Sequence, residues 1–186
     1  DYHGTMEAYM AAKSLLFSKH LKSDGIAVLN KEDAAYKKFL DFTKNTISYG
    51  KTQADANLVH VVPENKGLQV TIAFEEKKYD IFLGLMGLFQ AENVLCALLI
   101  VKALGADFQS ILPVLSKLNN VKGRMQHFAI KDAANVVIDY AHTPDAVKTA
   151  LQSLRPHCAG ELSIVLGCGG NRDSSKRPLM AQMACQ

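Results

Sequence analysis

A chain of 186 residues, 48% of them hydrophobic, reads as a soluble globular protein long enough to bury one large core or two small ones. Its 21 basic and 18 acidic residues leave a net charge of only +3, interleaved and without an aromatic-basic stripe, which argues against nucleic acid and keeps small anionic substrates in play. The longest apolar run, Val94 to Val101, stops at Lys102, far short of the roughly 20 residues of a bilayer span, so no membrane association is expected.

Residues 5 to 19 read as a helix, "IAVLN" (26 to 30) as a buried strand, and 32 to 40 as a helix opened by Glu32 and Asp33. "NTISYGKT" puts Gly50-Lys51-Thr52 where a phosphate loop would end, but that motif needs a glycine at the place of Asn45, and Thr46, Ile47 and Tyr49 favour a strand. No ATP phosphate loop is therefore expected in this chain. Residues 57 to 63 and 67 to 75 predict a hairpin around "PENKG", followed by strand "YDIFL" and an apolar helix from about 88 to 104 closed by Gly105. A helix over 107 to 119 has Asp107 as its N-cap.

After "NNVKGRMQ" the pattern restarts with strand 127 to 131, strand "NVVIDY", a helix after Pro144, strand "LSIVLG", a glycine loop and a helix with Pro178 in its first turn. Strands alternating with helices predict an α/β protein with a parallel, doubly wound sheet, and the break near Gly123 to Gln126 predicts domains of 1–126 and 127–186. The four cysteines, Cys96, Cys158, Cys168 and Cys185, have no C-x-x-C spacing, which points to a reducing cytosol. The chain starts at Asp1 without an initiator Met or leader and ends within a helical pattern, so it is expected to be part of a longer protein.

Three features carry chemistry. Lys13 falls in the middle of the Met6, Tyr9, Leu16, Phe17 face of its helix, where a core residue belongs. Either its stem snorkels and its ammonium reaches water, or burial yields a neutral amine that can take up carbon dioxide and offer magnesium a carbamate oxygen. "VIDYAHTPDA" ends a buried strand with Asp139 and sets Tyr140, His142 and Thr143 in the following turn, at the carboxyl end of a strand where open α/β sheets bind ligands; turn and cap chemistry explains the same residues equally well. "GCGGNRD" lacks the dinucleotide-binding glycine order, yet its glycines let backbone approach a ligand, and Arg172, with Lys176 and Arg177, suits an anion.

Taken together, "DYHGTMEAYMAAKSLLF", "GLFQAENVLCAL", "GRMQ", "VIDYAHTPDAV" and "GCGGNRDSSKRPLM" resemble, in order and over nearly the whole chain, the Mur ligases of peptidoglycan synthesis. The resemblance implies the rear part of a central P-loop-type ATPase domain, 1–126, followed by the first half of a Rossmann-like C-terminal domain, 127–186. It is nearest to members that add the third amino acid to UDP-N-acetylmuramoyl-L-alanyl-D-glutamate. In these, ATP phosphorylates the glutamyl carboxylate and the incoming amine displaces phosphate from the acyl phosphate, with Mg2+ neutralising phosphoryl charge.

By the same resemblance Lys13 is the carbamylated, metal-binding lysine, and the family's metal-binding histidine would precede Asp1, so His3 does not take that role. Asn93 matches an adenine-contacting residue, whereas Gln90 stands where asparagine is usual. Arg124 matches the arginine that approaches ATP phosphate and Asp139 the acid that binds ribose hydroxyls, with His142 close by. Arg172 matches the contact to the incoming amino acid, and "GCGG-RD--KRP" is more like enzymes that use meso-diaminopimelate than those that use L-lysine. The P-loop and the UDP-sugar domain lie outside the chain, so these residues alone are expected to be inactive. The rival readings are another Mur ligase, a folylpolyglutamate synthetase, or a non-enzymatic nucleotide-binding module.

Overall fold

The computed structural model describes residues 3–130, 135–170 and 174–185. By internal contacts these divide into two compact units, one of Asp1–His60, Val70–Ile81 and Ala91–Val114, the other of Val61–Gln69, Phe82–Gln90 and Leu115–Gln186.

Helix α1, Met6–Leu15, is opened by Thr5, whose Oγ1 accepts the Ala8 amide at 3.1 Å, and it runs into a wider π-helical turn at Leu16–His20. Most of the face expected to be core is turned outward: Met6 is 70% and Leu16 60% exposed, while Phe17 is half-buried with its ring 4.9 Å from Phe39, and Ser14 is the buried residue of the helix. Apolar spacing marks a face but does not say what covers it.

Strand β1, Ile26–Asn30, buries Ala27 and Leu29 and pairs in parallel with β2, Asn45–Gly50, from Ile26↔Asn45 to Asn30↔Tyr49. The glycine-lysine decoy is thus the end of a strand. The helix expected over 32 to 40 shortens to α2, Tyr36–Leu40. The acidic residues before it are spent on turns instead, Asp33 Oδ1 accepting the Ala35 amide at 2.7 Å and Glu32 Oε1 the Lys51 amide at 2.6 Å.

Strand β3, Ala56–Glu64, meets β2 in parallel over only Tyr49↔Ala56 and Gly50↔Asn57. The short return between them is closed by Asp55, whose Oδ2 accepts both the amide and the hydroxyl of Ser48, at 2.7 and 2.6 Å. Those hydrogen bonds hold the Asp55 carboxyl below its usual value.

Strands β4, Gly67–Phe74, and β5, Lys77–Leu83, complete the order β1-β2-β3-β4-β5. Two-residue links join β3 to β4 and β4 to β5, which only antiparallel neighbours permit, so the expected hairpin around "PENKG" is present and the sheet is mixed rather than parallel throughout. In the second link both Glu75 and Glu76 have left-handed φ, 49° and 62°, the geometry of a primed hairpin turn built here without glycine. Gly67 is required by contact, since a Cβ there would lie 2.1 Å from the Leu83 carbonyl oxygen.

Helix α3, Phe89–Ala103, buries Ala91, Val94, Leu95, Leu98 and Leu99, one stripe at helical spacing. Gly105, at φ +98°, stops it as expected. Helix α4, Phe108–Leu115, is shorter than predicted but does start at Asp107, whose Oδ2 accepts the Ser110 amide at 2.9 Å. Its Phe108 ring packs 4.7 Å from Phe74 and 5.1 Å from Tyr79.

In the second unit β6, Gln126–Ala129, and β7, Asn135–Ile138, form an antiparallel pair from Gln126↔Ile138 to Ala129↔Asn135. Helix α5, Pro144–Leu154, is capped by the Thr143 hydroxyl and carries proline in its first turn, and it packs on α6, Lys176–Ala184, where Met180 is buried. "LSIVLG" is not a strand: 162–167 pair with no ladder among the described residues, and Val165 is fully exposed. No helix among the described residues is long and apolar enough to cross a membrane.

Candidate functional site

Around the segment "GRMQ" the backbone turns sharply. Gly123 and Met125 both have left-handed φ, +68° and +47°, and the Gly123 amide donates to Gln126 Oε1 at 3.0 Å. A methionine seldom adopts that conformation, and this one is held in it from two sides. Its side chain is fully buried, and its amide donates to Asp139 Oδ2 at 2.9 Å.

That hydrogen bond gives Asp139, at the end of β7, a defined place. One carboxylate oxygen is committed to the turn; Oδ1 carries no hydrogen bond among the described residues and can accept from a ligand hydroxyl. Arg124, exposed, lays its guanidinium over the Tyr140 ring at 5.0 Å and makes no other polar contact through that group among the described residues. A planar cation resting on an aromatic face keeps its donors free for phosphate or carboxylate. His142 follows, its ring 5.1 Å from Tyr140 and its Nδ1 donating to the Tyr140 carbonyl at 3.0 Å, so that Nε2 is the ring nitrogen without a partner among the described residues.

The same turn reaches the start of α3. A Cβ on Gly87, which has φ +93°, would stand 2.9 Å from Met125 Cε and 3.2 Å from Phe89 Cε1, so the methionine fits only because Gly87 has none. The Gly87 carbonyl accepts the Gln90 amide at 3.0 Å, and its own amide donates to His157 Nε2 at 3.4 Å, while His157 Nδ1 donates to the Glu64 carbonyl at 2.9 Å. Contacts therefore run from Gln90 through Gly87 and Met125 to Asp139, and from Arg124 through Tyr140 to His142, all within the second unit.

Four of the expected site residues are thus brought into one neighbourhood. Asn93 stands one turn beyond Gln90 on α3, exposed and in the first unit. Lys13, also in the first unit, is exposed and not a core lysine, its Nζ 5.2 Å from the centre of the Tyr9 ring, which removes burial as the reason for a reactive amine. Arg172 lies outside the described residues. Arg177 folds back to donate to the carbonyls of Gly169 and Gly170, at 3.4 and 2.8 Å.

Among the described residues no group of three His, Cys, Asp or Glu could hold a metal. Magnesium takes only one or two protein carboxylates and completes its shell with water and substrate phosphate, so a single carbamate at Lys13 would be a donor of the right kind. Sequence reasoning missed Met125, Gly87 and the role of Tyr140. Tyr140 was legible as an aromatic beside a candidate ligand-binding acid; nothing in "GRMQ" announces a buried left-handed methionine.

Residues 1–101 match the family model of the Mur ligase middle domain, and residues 123–186 that of the Mur ligase glutamate ligase domain. Two curated relatives, from Rickettsia bellii and Vibrio vulnificus, are both named UDP-N-acetylmuramoyl-L-alanyl-D-glutamate--2,6-diaminopimelate ligase. They are 41% and 39% identical over 99% of this chain and 39% and 38% of their own lengths. A solved structure of an enzyme of that name is 35% identical with a TM-score of 0.72, covering 99% of this chain and 39% of the other. A MurF ligase from Thermotoga maritima, solved in complex with ADP, shares the fold at 24% identity and a TM-score of 0.68, covering 83% of this chain and 36% of its own. The chain spans about two fifths of the length of the curated relatives it matches.

Proposed function

This chain belongs to the Mur ligase family, and from that membership we propose that it is the middle-to-C-terminal part of a cytoplasmic, ATP-dependent amide ligase that adds meso-2,6-diaminopimelate to UDP-N-acetylmuramoyl-L-alanyl-D-glutamate. The observation that carries the substrate assignment is the 41% identity, over 99% of the chain, to a ligase named for that reaction.

In the proposed reaction the glutamyl carboxylate takes the terminal phosphoryl group of ATP and ADP leaves. The amine of diaminopimelate then attacks the acyl carbon, the amide bond forms, phosphate departs and the amine loses a proton. Asp139 accepts the ribose hydroxyls through Oδ1, with Oδ2 anchored on Met125. Arg124 brings its guanidinium to phosphate oxygens from the Tyr140 face, and Gln90 and Asn93, one helical turn apart, serve the base. His142 offers Nε2 beside them. Arg172 receives the carboxylate of the incoming amino acid.

Lys13 is the residue that, once its neutral amine had added carbon dioxide and released a proton, would offer one carbamate oxygen to magnesium. Magnesium, when bound, neutralises charge developing on the phosphoryl group. The domain boundary is proposed at Gln126–His127, directly after the two left-handed residues of the "GRMQ" turn.

The test is ligase activity of the full-length protein on the UDP-linked dipeptide with meso-diaminopimelate or L-lysine, in wild type, Lys13→Ala and Arg172→Ala. Use of diaminopimelate, loss of turnover in Lys13→Ala and a raised amino-acid KM in Arg172→Ala are expected. Preference for lysine or glutamate, or full activity of Lys13→Ala, overturns the assignment it addresses.

A further inference from the structure

We infer that Met125 is a positioning residue of the nucleotide site, locking Asp139 to the start of α3 so that the carboxylate and Gln90 stay in the register one nucleotide requires. The inference rests on the proposed reading of Asp139 and Gln90 as nucleotide contacts.

Three independent observations meet at this residue. Its backbone holds a left-handed φ of +47°, which side chains other than glycine rarely adopt, so the surroundings must over-determine it. Its side chain, fully buried, fills the space left by the missing Cβ of Gly87, where even one added carbon would fall 2.9 Å from Cε. Its amide is spent on Asp139 Oδ2 at 2.9 Å, which removes the rotation of the carboxylate and leaves Oδ1 as the acceptor for a ligand. An unbranched thioether is suited to bridging such an irregular gap.

The consequences travel along short contacts. Gly87 accepts the Gln90 amide, so what fixes Gly87 fixes the first turn of α3. Arg124 directly precedes Met125, so the same turn sets the backbone from which the guanidinium reaches Tyr140. A buried methionine serving only as core filler would require neither the left-handed backbone nor the acid on its amide.

The experiment measures ATP KM, amino-acid KM and kcat in the full-length protein for Met125→Gly, Met125→Leu and Asp139→Asn. Glycine is at ease at this φ and keeps the amide, so Met125→Gly removes only the wedge, and leucine keeps most of the volume but not the reach to Gly87. Met125→Gly is expected to raise ATP KM about tenfold and Met125→Leu about threefold, with amino-acid KM within twofold, as loosening by a fraction of an ångström does elsewhere. Should Met125→Gly fail to fold, the leucine variant decides alone. An unchanged ATP KM in whichever of the two folds, or a parallel change in both KM values, overturns the inference. If Asp139→Asn raises ATP KM and the Met125 variants do not, the positioning role alone fails; if Asp139→Asn leaves it unchanged, the nucleotide reading fails and takes the inference with it.

Discussion

Replacing Asp139 by alanine removes the acceptor of the Met125 amide, a hydrogen bond to a carboxylate at 2.9 Å. Such charge-assisted bonds contribute about 1.5–3 kcal/mol net. Asp139 is half-buried, so water can enter where the carboxylate stood, and the lower end applies, about 1.5 kcal/mol. Asparagine retains an acceptor of the same length, and its cost is expected near 0.5 kcal/mol. Urea titration of this chain, followed by far-UV circular dichroism because there is no tryptophan, should show a midpoint lowered by about 0.5–1 M for Asp139→Ala at an ordinary m-value. The Met125 amide itself should lose about tenfold in hydrogen-exchange protection, the exchange equivalent of that energy. If alanine and asparagine behave alike, or the Met125 amide exchanges as before, the acid does not hold the turn and the account of "GRMQ" is wrong.

Three further outcomes follow from the fold. Gly67→Ala forces a Cβ against the Leu83 carbonyl oxygen and should cost about 3 kcal/mol or abolish folding, read as the urea midpoint; a loss below about 1 kcal/mol would mean that β4 and β5 are not this close. Glu76→Gly relieves a left-handed φ of +62° and should stabilise by about 1 kcal/mol, and destabilisation would contradict the primed turn. Asp55 titrates in the folded chain below its usual 3.8 because Ser48 bonds the ionised form, so its contribution is complete above that value and vanishes as pH falls through the lower folded pKa. The stability difference between wild type and Asp55→Asn should therefore shrink as pH drops below about 4 and stay level above about 5; a gap that widens on acidification would reverse the sign.

Much of this was legible because local rules and tertiary structure agree. The stripe from Ala91 to Leu99, the cap at Asp107 and the stop at Gly105 each follow from a short window of sequence. Where they disagree, the cause is a competitor outside the window. Glu32 and Asp33 look like the acidic first turn of a helix, yet their carboxylates find the amides of Lys51 and Ala35 first. Lys13 sits on a face with the right spacing for a core, but spacing cannot state that the face is exposed. "LSIVLG" has the composition of a buried strand, and a strand exists only where a neighbour supplies the ladder. In the candidate site, Asp139 and Arg124 could be proposed from sequence because their chemistry is explicit in their side chains. Met125 was not, since its contribution lies in a backbone angle and a contact across 38 residues of sequence to Gly87.

The unpaired stretch 162–167 has a practical side. Ser163, Ile164 and Val165 are exposed, apolar or β-branched for the most part, and have their backbone hydrogen-bonding groups outside any ladder. Such a ribbon is a template for edge-on association between copies, and the self-association grows with concentration. Preparations of these 186 residues will cloud or show rising scattered intensity as they are concentrated, and a charged substitution such as Val165→Lys should clear them without touching the packed helices α5 and α6.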